Sequence, residues 1–127
     1  MKNVNPVVWF EIYVHEMDRA ATFYEKVLDI SLEKMTSPEG FDMEMRAFPS
    51  EMENLGAAGA LVKMKDAIVG AGGTINYFGS QDCNIELARV EAAGGKICQP
   101  KMSIGEFGFC AIISDTEGNV VGLHSMV

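Results

Sequence analysis

Residues 7–28, VVWFEIYVHEMDRAATFYEKVL, decide how the rest of this chain is read. From Val7 to Val14 the residues are β-branched, aromatic or otherwise apolar except for Glu11 and predict a strand. A strand points alternate side chains to opposite faces, so Phe10, Ile12 and Val14 share one side and Trp9, Glu11 and Tyr13 the other. A short polar turn follows, then a helix on which Ala21, Tyr24, Val27 and Leu28 recur at helical spacing, with Asp18 as its expected cap. The first side of the strand then lies under the helix. The second, a carboxylate between two aromatics, faces whatever stands across the sheet.

Working outward, Asp29–Leu32 bends into a strand near 31–35, and Ser37, Pro38 and Gly40 form a turn. FDMEMRA, residues 41–47, alternates strictly, with Phe41, Met43, Met45 and Ala47 against Asp42, Glu44 and Arg46. A loop over 49–59 leads to a strand at 60–64. After a glycine-rich linker the order repeats: a strand over 74–79, a helix capped by Asp82 or Cys83 with Leu87, Val90 and Ala93 on one face, and a stop at Gly94-Gly95. Strands near 96–98, 107–114 and 119–126 complete the second half. Setting Met17 against Cys83 matches the two helices face to face. The chain therefore reads as one α+β domain of two βαβββ modules, at about 5–65 and 74–127, joined by a linker at about 66–73. Each module buries one sheet face under its helix. The bare faces need cover too, and an open, curved mixed sheet with a ligand-sized hollow provides it.

With 127 residues, 48% of them hydrophobic, the chain can bury a core, and its net charge of −8 disfavours nucleic acid and anionic membrane surfaces. An acidic surface leans toward cationic or neutral small molecules. Cys83, Cys98 and Cys110 form no CxxC pair and read as buried, reduced thiols of a cytoplasmic protein. No apolar run approaches a membrane span, and no signal peptide is evident.

Candidate site residues follow from type and parity. Glu11 is either a carboxylate paired with an arginine such as Arg46 or, if buried and unpaired, a general base. His124 shares strand parity with Val120 and Gly122, toward the hollow or toward solvent at the strand's end. His15 reads as a surface residue in the turn before the first helix. Trp9, Tyr13, Tyr77 and Phe109 are either aromatic walls for a ligand or ordinary core. Met43 and Met45 read as core or as a dimer contact. The glycines fit no phosphate-binding loop.

Three segments carry a resemblance to the vicinal-oxygen-chelate superfamily, which includes glyoxalases, bleomycin-resistance proteins and extradiol dioxygenases. They are EIYVHEMDRAATFYEKVLDI at 11–30, ARVEAAGGKICQPK at 88–101 after the Tyr77-Phe78 strand, and GEFGFCAIISDTEGNVVGLHS at 105–125. The turn Asp115-Thr116-Glu117-Gly118-Asn119 stands where that family has Asp-Pro-x-Gly-Asn, with Thr116 in place of the proline. The resemblance implies paired βαβββ modules, commonly as homodimers. It also implies one divalent metal held by His, Gln or Glu from the first and fourth strand of each module. Those positions fall here on Trp9, on Val62 or Lys63, on Ile75 and on Gly122, so no metal and no other cofactor is expected. The expected function is capture of a small apolar or aromatic molecule. The alternative is a glyoxalase-like lyase or isomerase, or a dioxygenase-type enzyme, using Glu11 as base with His124 assisting.

Overall fold

A computed structural model describes residues 5, 7–37, 42–51, 53–72 and 74–127. The expected turn at Pro38 and Gly40, the start of the alternating strand at Phe41, and Gly73 of the linker lie outside the described residues. The first module runs β1 (Trp9–Tyr13), α1 (Met17–Leu28), β2 (Glu33–Met35), β3 (Met43–Ala47) and β4 (Ala58–Met64). The second runs β5 (Asn76–Gly79), α2 (Cys83–Val90), β6 (Lys96–Ser103), β7 (Phe109–Ser114) and β8 (Val120–Ser125). Strand orders are β1-β4-β3-β2 and β5-β8-β7-β6. In each sheet the first strand pairs parallel with the last, and the other pairings are antiparallel. This is the repeated βαβββ architecture expected from the two helix patterns.

β6 runs well past the expected end near residue 98. Pro100, which donates no ladder hydrogen bond, is tolerated because β6 is an edge strand with register shifts between Ile97 and Gln99 and between Gln99 and Met102. The same irregular edge corrects the reading of Cys98, which is exposed, whereas Cys83 and Cys110 are buried.

Helix α1 begins one residue before Asp18, and Glu16 at its N-cap makes no side-chain capping bond. Asp18 instead ion-pairs with Arg46 at 2.5 Å. Glu117 from the other module stands at this helix start, its Oε1 accepting from the backbone N–H of the N-cap Glu16 and of the preceding His15, both at 2.9 Å. Helix α2 starts as expected, with Asp82 accepting from the Asn84 N–H.

The helix-facing sides of both sheets merge into one core. Ile12, Val14 and Leu61 of the first sheet join Phe23, Tyr24 and Val27 of α1, and the same cluster takes in Leu87 and Val90 of α2 with Ile113 and Leu123 of the second sheet. At the seam Phe10, Tyr24, Phe48 and Phe78 meet with ring centroids 5.5–6.0 Å apart. Since one core serves both helices, each sheet's opposite face carries no helix. Trp9 is 41% exposed on one such face and Tyr77 53% on the other. Five surface cavities on the described residues span about 110 to 610 Å³, and their linings do not include Trp9 or His124. The exposure of Trp9 and Tyr77 leaves both of these faces uncovered by the chain itself.

Candidate functional site

On β1 the pleat turns Trp9, Glu11 and Tyr13 to the open face. Glu11 is held from both sides: the Trp9 indole Nε1–H donates to Oε2 at 3.2 Å and the Tyr13 hydroxyl donates to Oε1 at 2.6 Å. The hydrogen bond to Glu11 raises the Tyr13 phenol above its usual pKa, and partial burial and the carboxylate's charge push the same way. Register fixes the floor around them, because directly paired residues share a face. Glu11 stands opposite Ala60 and Tyr13 opposite Val62, while Met45 lies between Val62 and Met35, and Met43 opposite Met64. Met45, Ala60 and Val62 are buried there, with Tyr13, Met43 and Met64 packed on them. Ala60, Val62 and Met45 are thus covered from within the chain, and the half-buried Tyr13, Met43 and Met64 form the apolar, deformable surface beside the carboxylate.

A polar clamp from the second module sets the position of β1. The Asn119 Nδ2–H donates to the Tyr13 carbonyl at 2.9 Å, and the same amide donates to Asp115 Oδ2 at 3.1 Å. Asp115, buried, also accepts from the Tyr24 hydroxyl at 2.7 Å and from the backbone N–H groups of Glu117 and Asn119 at 2.8 Å. Burial pushes the Tyr24 phenol far above its usual range, and the charge of Asp115 and the bond to it add to this. Next to it Glu117 takes a bidentate pair from Arg19, Nε at 2.7 Å and Nη2 at 2.9 Å. Burial works against the Glu117 charge, but hydrogen bonds from Arg19, the Glu16 N–H, the Thr116 hydroxyl and the His15 N–H outweigh it and bring its pKa down to about 2. Sequence reasoning did not find this clamp. Its local hints were the Asp115–Asn119 turn and Tyr24, a tyrosine on a buried helix face whose hydroxyl needs a partner.

The other candidates scatter. Tyr77 and His124 do reach the open face of the second sheet, where Tyr77 lies over its register partner Gly122 and a His124 ring nitrogen sits 2.7 Å from the Phe107 carbonyl. Phe109 pairs with Ser125, on the helix side of the sheet, and lies beneath the Lys101 ammonium, 4.6 Å from its ring centroid. Arg46, paired with Leu61 and ion-bonded to Asp18, is on the helix side of its sheet and does not neutralise Glu11. The Glu11–Arg46 pairing fails on parity, since residues 11 and 46 project to opposite faces. His15 is exposed, and its backbone alone is engaged, by Glu117.

The donor set is poor in metal ligands. Trp9, Val62, Ile75 and Gly122 offer no side-chain ligand. Lys63 stands opposite Glu44, away from the Trp9 face. Glu11 and His124, the two side chains near those positions that could ligate, stand on the separate open faces of the two sheets within one chain. Among the described residues no group of three or more His, Cys, Asp or Glu side chains is placed to hold an ion. Within one chain these residues do not fit a mononuclear divalent site.

The family model for the Glyoxalase/Bleomycin resistance protein/Dioxygenase superfamily matches residues 6–123. No curated protein matches the chain. Among solved structures, the V278E mutant of glyoxalase I from Zea mays superposes with a TM-score of 0.73 at 21% identity, covering 95% of this chain and 46% of that one. This chain thus spans about half the length of the Zea mays glyoxalase I chain. TnmS3, an antibiotic binding protein from Streptomyces sp. CB03234, superposes with a TM-score of 0.67 at 22% identity, covering 98% of each chain. A glyoxalase-related enzyme from Fulvimarina pelagi gives 0.67 at 13% identity, covering 96% of this chain and 88% of that one. At these identities the likeness is one of fold.

Proposed function

We propose, from the premise that this chain belongs to the Glyoxalase/Bleomycin resistance protein/Dioxygenase superfamily, that it binds a small apolar or aromatic molecule on the open sheet faces and does so without the divalent metal found in the superfamily's metal-dependent enzymes. The observation that carries the reading is the Trp9–Glu11–Tyr13 row beside the partly exposed Met43 and Met64, which cover the buried Met45, Ala60 and Val62. Two fixed aromatic rings and a floor without charge suit a flat ligand, and the available donors do not suit a metal. The full-length similarity to an antibiotic binding protein supports binding over turnover. Enzyme chemistry with Glu11 as base is less well supported, because both Glu11 oxygens already accept hydrogen bonds.

A second copy of the chain, facing the two open faces with the ligand held between them, is the natural cover, since Trp9, Met35, Tyr77 and Met102 are all exposed large apolar side chains. A homodimer in the cytoplasm, where Cys83, Cys98 and Cys110 stay reduced, completes the reading. Among the described residues no helix is long and apolar enough to cross a membrane.

Thermal denaturation against a panel of flat neutral aromatics tests the proposal. A binder at about a hundredfold its Kd stabilises the fold by about 2.7 kcal/mol, and Trp9→Ala removes that gain. Stoichiometric nickel, zinc, iron or manganese in protein purified without chelator, with an activity lost on its removal, overturns the metal-free reading.

A further inference from the structure

We infer that the first-sheet face selects flat aromatic cations, with Glu11 as the group that reads the charge; this rests on the aromatic-binding reading above and sharpens it. Four observations converge. Both Glu11 oxygens are oriented by neutral donors, the Trp9 N–H and the Tyr13 O–H, which steady the carboxylate and leave its charge uncancelled. Among the described strand residues of that face there is no Lys or Arg: Lys34 and Arg46 pair with each other, Lys63 pairs with Glu44, and these belong to the helix side. Glu33, opposite Ala47 on the open face, adds a second carboxylate. Finally, a cavity of about 110 Å³ runs beside Glu11 and Tyr13, lined by Thr74, Asn76 and Asn119 with the linker glycines Gly70 and Gly72 and no basic side chain.

A cation is thus drawn to this face by geometry and charge together. Its ring stacks on Trp9 or Tyr13, whose π-faces attract positive charge, and its charged nitrogen lies against Glu11 at the mouth of the polar cavity. An aromatic anion finds the same apolar floor but meets two carboxylates with no counter-charge. Arg46 is the base that the sequence offered as a partner for Glu11, and its place on the far side of the sheet leaves the face electronegative.

The chain carries a single tryptophan, Trp9, so its fluorescence reports on this face alone. Two probes with the same three-ring frame separate shape from charge: 9-aminoacridine, a cation at neutral pH, and anthracene-9-carboxylate, an anion. Quenching should be about tenfold tighter for the cation. That gap should shrink as salt rises, and Glu11→Gln should close it while near-UV circular dichroism stays native. Equal or reversed affinities overturn the inference and leave aromatic binding standing. So does a gap that survives in folded Glu11→Gln. Should that variant not fold, the salt series on the unaltered protein decides: a cation preference insensitive to salt overturns the role of charge. Quenching by neither probe removes the aromatic-binding reading itself.

Discussion

Two tyrosine–carboxylate pairs in this molecule make the same bond in opposite settings. Tyr24 donates to Asp115 at 2.7 Å in the core between the modules, and Tyr13 donates to Glu11 at 2.6 Å on an open sheet face. The two are linked, because Asn119 bonds to Asp115 with its side-chain amide and also to the carbonyl of Tyr13. What differs is what else each carboxylate meets. Asp115 is closed in by further donors from Glu117 and Asn119 and has no capacity left for a ligand. Glu11 is exposed, with two side-chain donors and an uncovered edge. The first pair is a fastening, and the second is a recognition element mounted on it.

The contrast breaks most visibly on the buried side. Asp115→Ala strands the Tyr24 hydroxyl, two backbone N–H groups and the Asn119 amide, and should cost about 3–5 kcal/mol in denaturant unfolding. Tyr24→Phe removes one donor from the same centre and should cost about 1–2 kcal/mol. If Asp115→Ala costs under about 1 kcal/mol, the clamp does not join the modules and the comparison falls.

Glu117, adjoining that clamp, gives the next effect and a pH signature. Its folded pKa, about 2, is below the ordinary 4.5, so its contribution is present above the unfolded carboxylate range and is lost as pH falls from about 4.5 toward 2. With Arg19 half in solvent the full shift overstates the contribution, and about 2 kcal/mol at neutral pH is expected for Glu117→Gln. Melting curves of the two proteins should lie apart at pH 7 and converge near pH 2. A gap that stays constant over that range means Glu117 acts by shape and not by charge.

How far each side could be read in the sequence follows from the range of its forces. The two helices and the faces of β1 were legible because burial imposes a period on the chain: Ala21, Tyr24 and Val27 are buried at helical spacing, and Ile12 and Val14 alternate with Glu11 and Tyr13. The Trp9–Glu11–Tyr13 row was legible for the same reason, as three residues of one strand. The clamp was not, since Arg19 and Glu117 are 98 residues apart and no local pattern ties a helix start to a distant turn. Which side of the sheet Arg46 and Phe109 take was not legible, for a related reason. Each looks equally suited to either face until pairing with Leu61 or Ser125 decides its side.

The smallest effect bears on the open pair alone. Tyr13 ionises above the ordinary phenol range, chiefly because its proton is shared with Glu11. Glu11→Gln takes away the anionic acceptor and the repelling charge, so the Tyr13 transition should move back toward pH 10, the ordinary value. Ultraviolet absorption of tyrosinate follows this, with Tyr13→Phe identifying the band. Stability should change by less than about 0.5 kcal/mol in either variant, as expected for an exposed polar pair. A loss as large as that of Tyr24→Phe would mean that Tyr13 and Glu11 are a second fastening, and the open face would lose its claim to be free for a ligand.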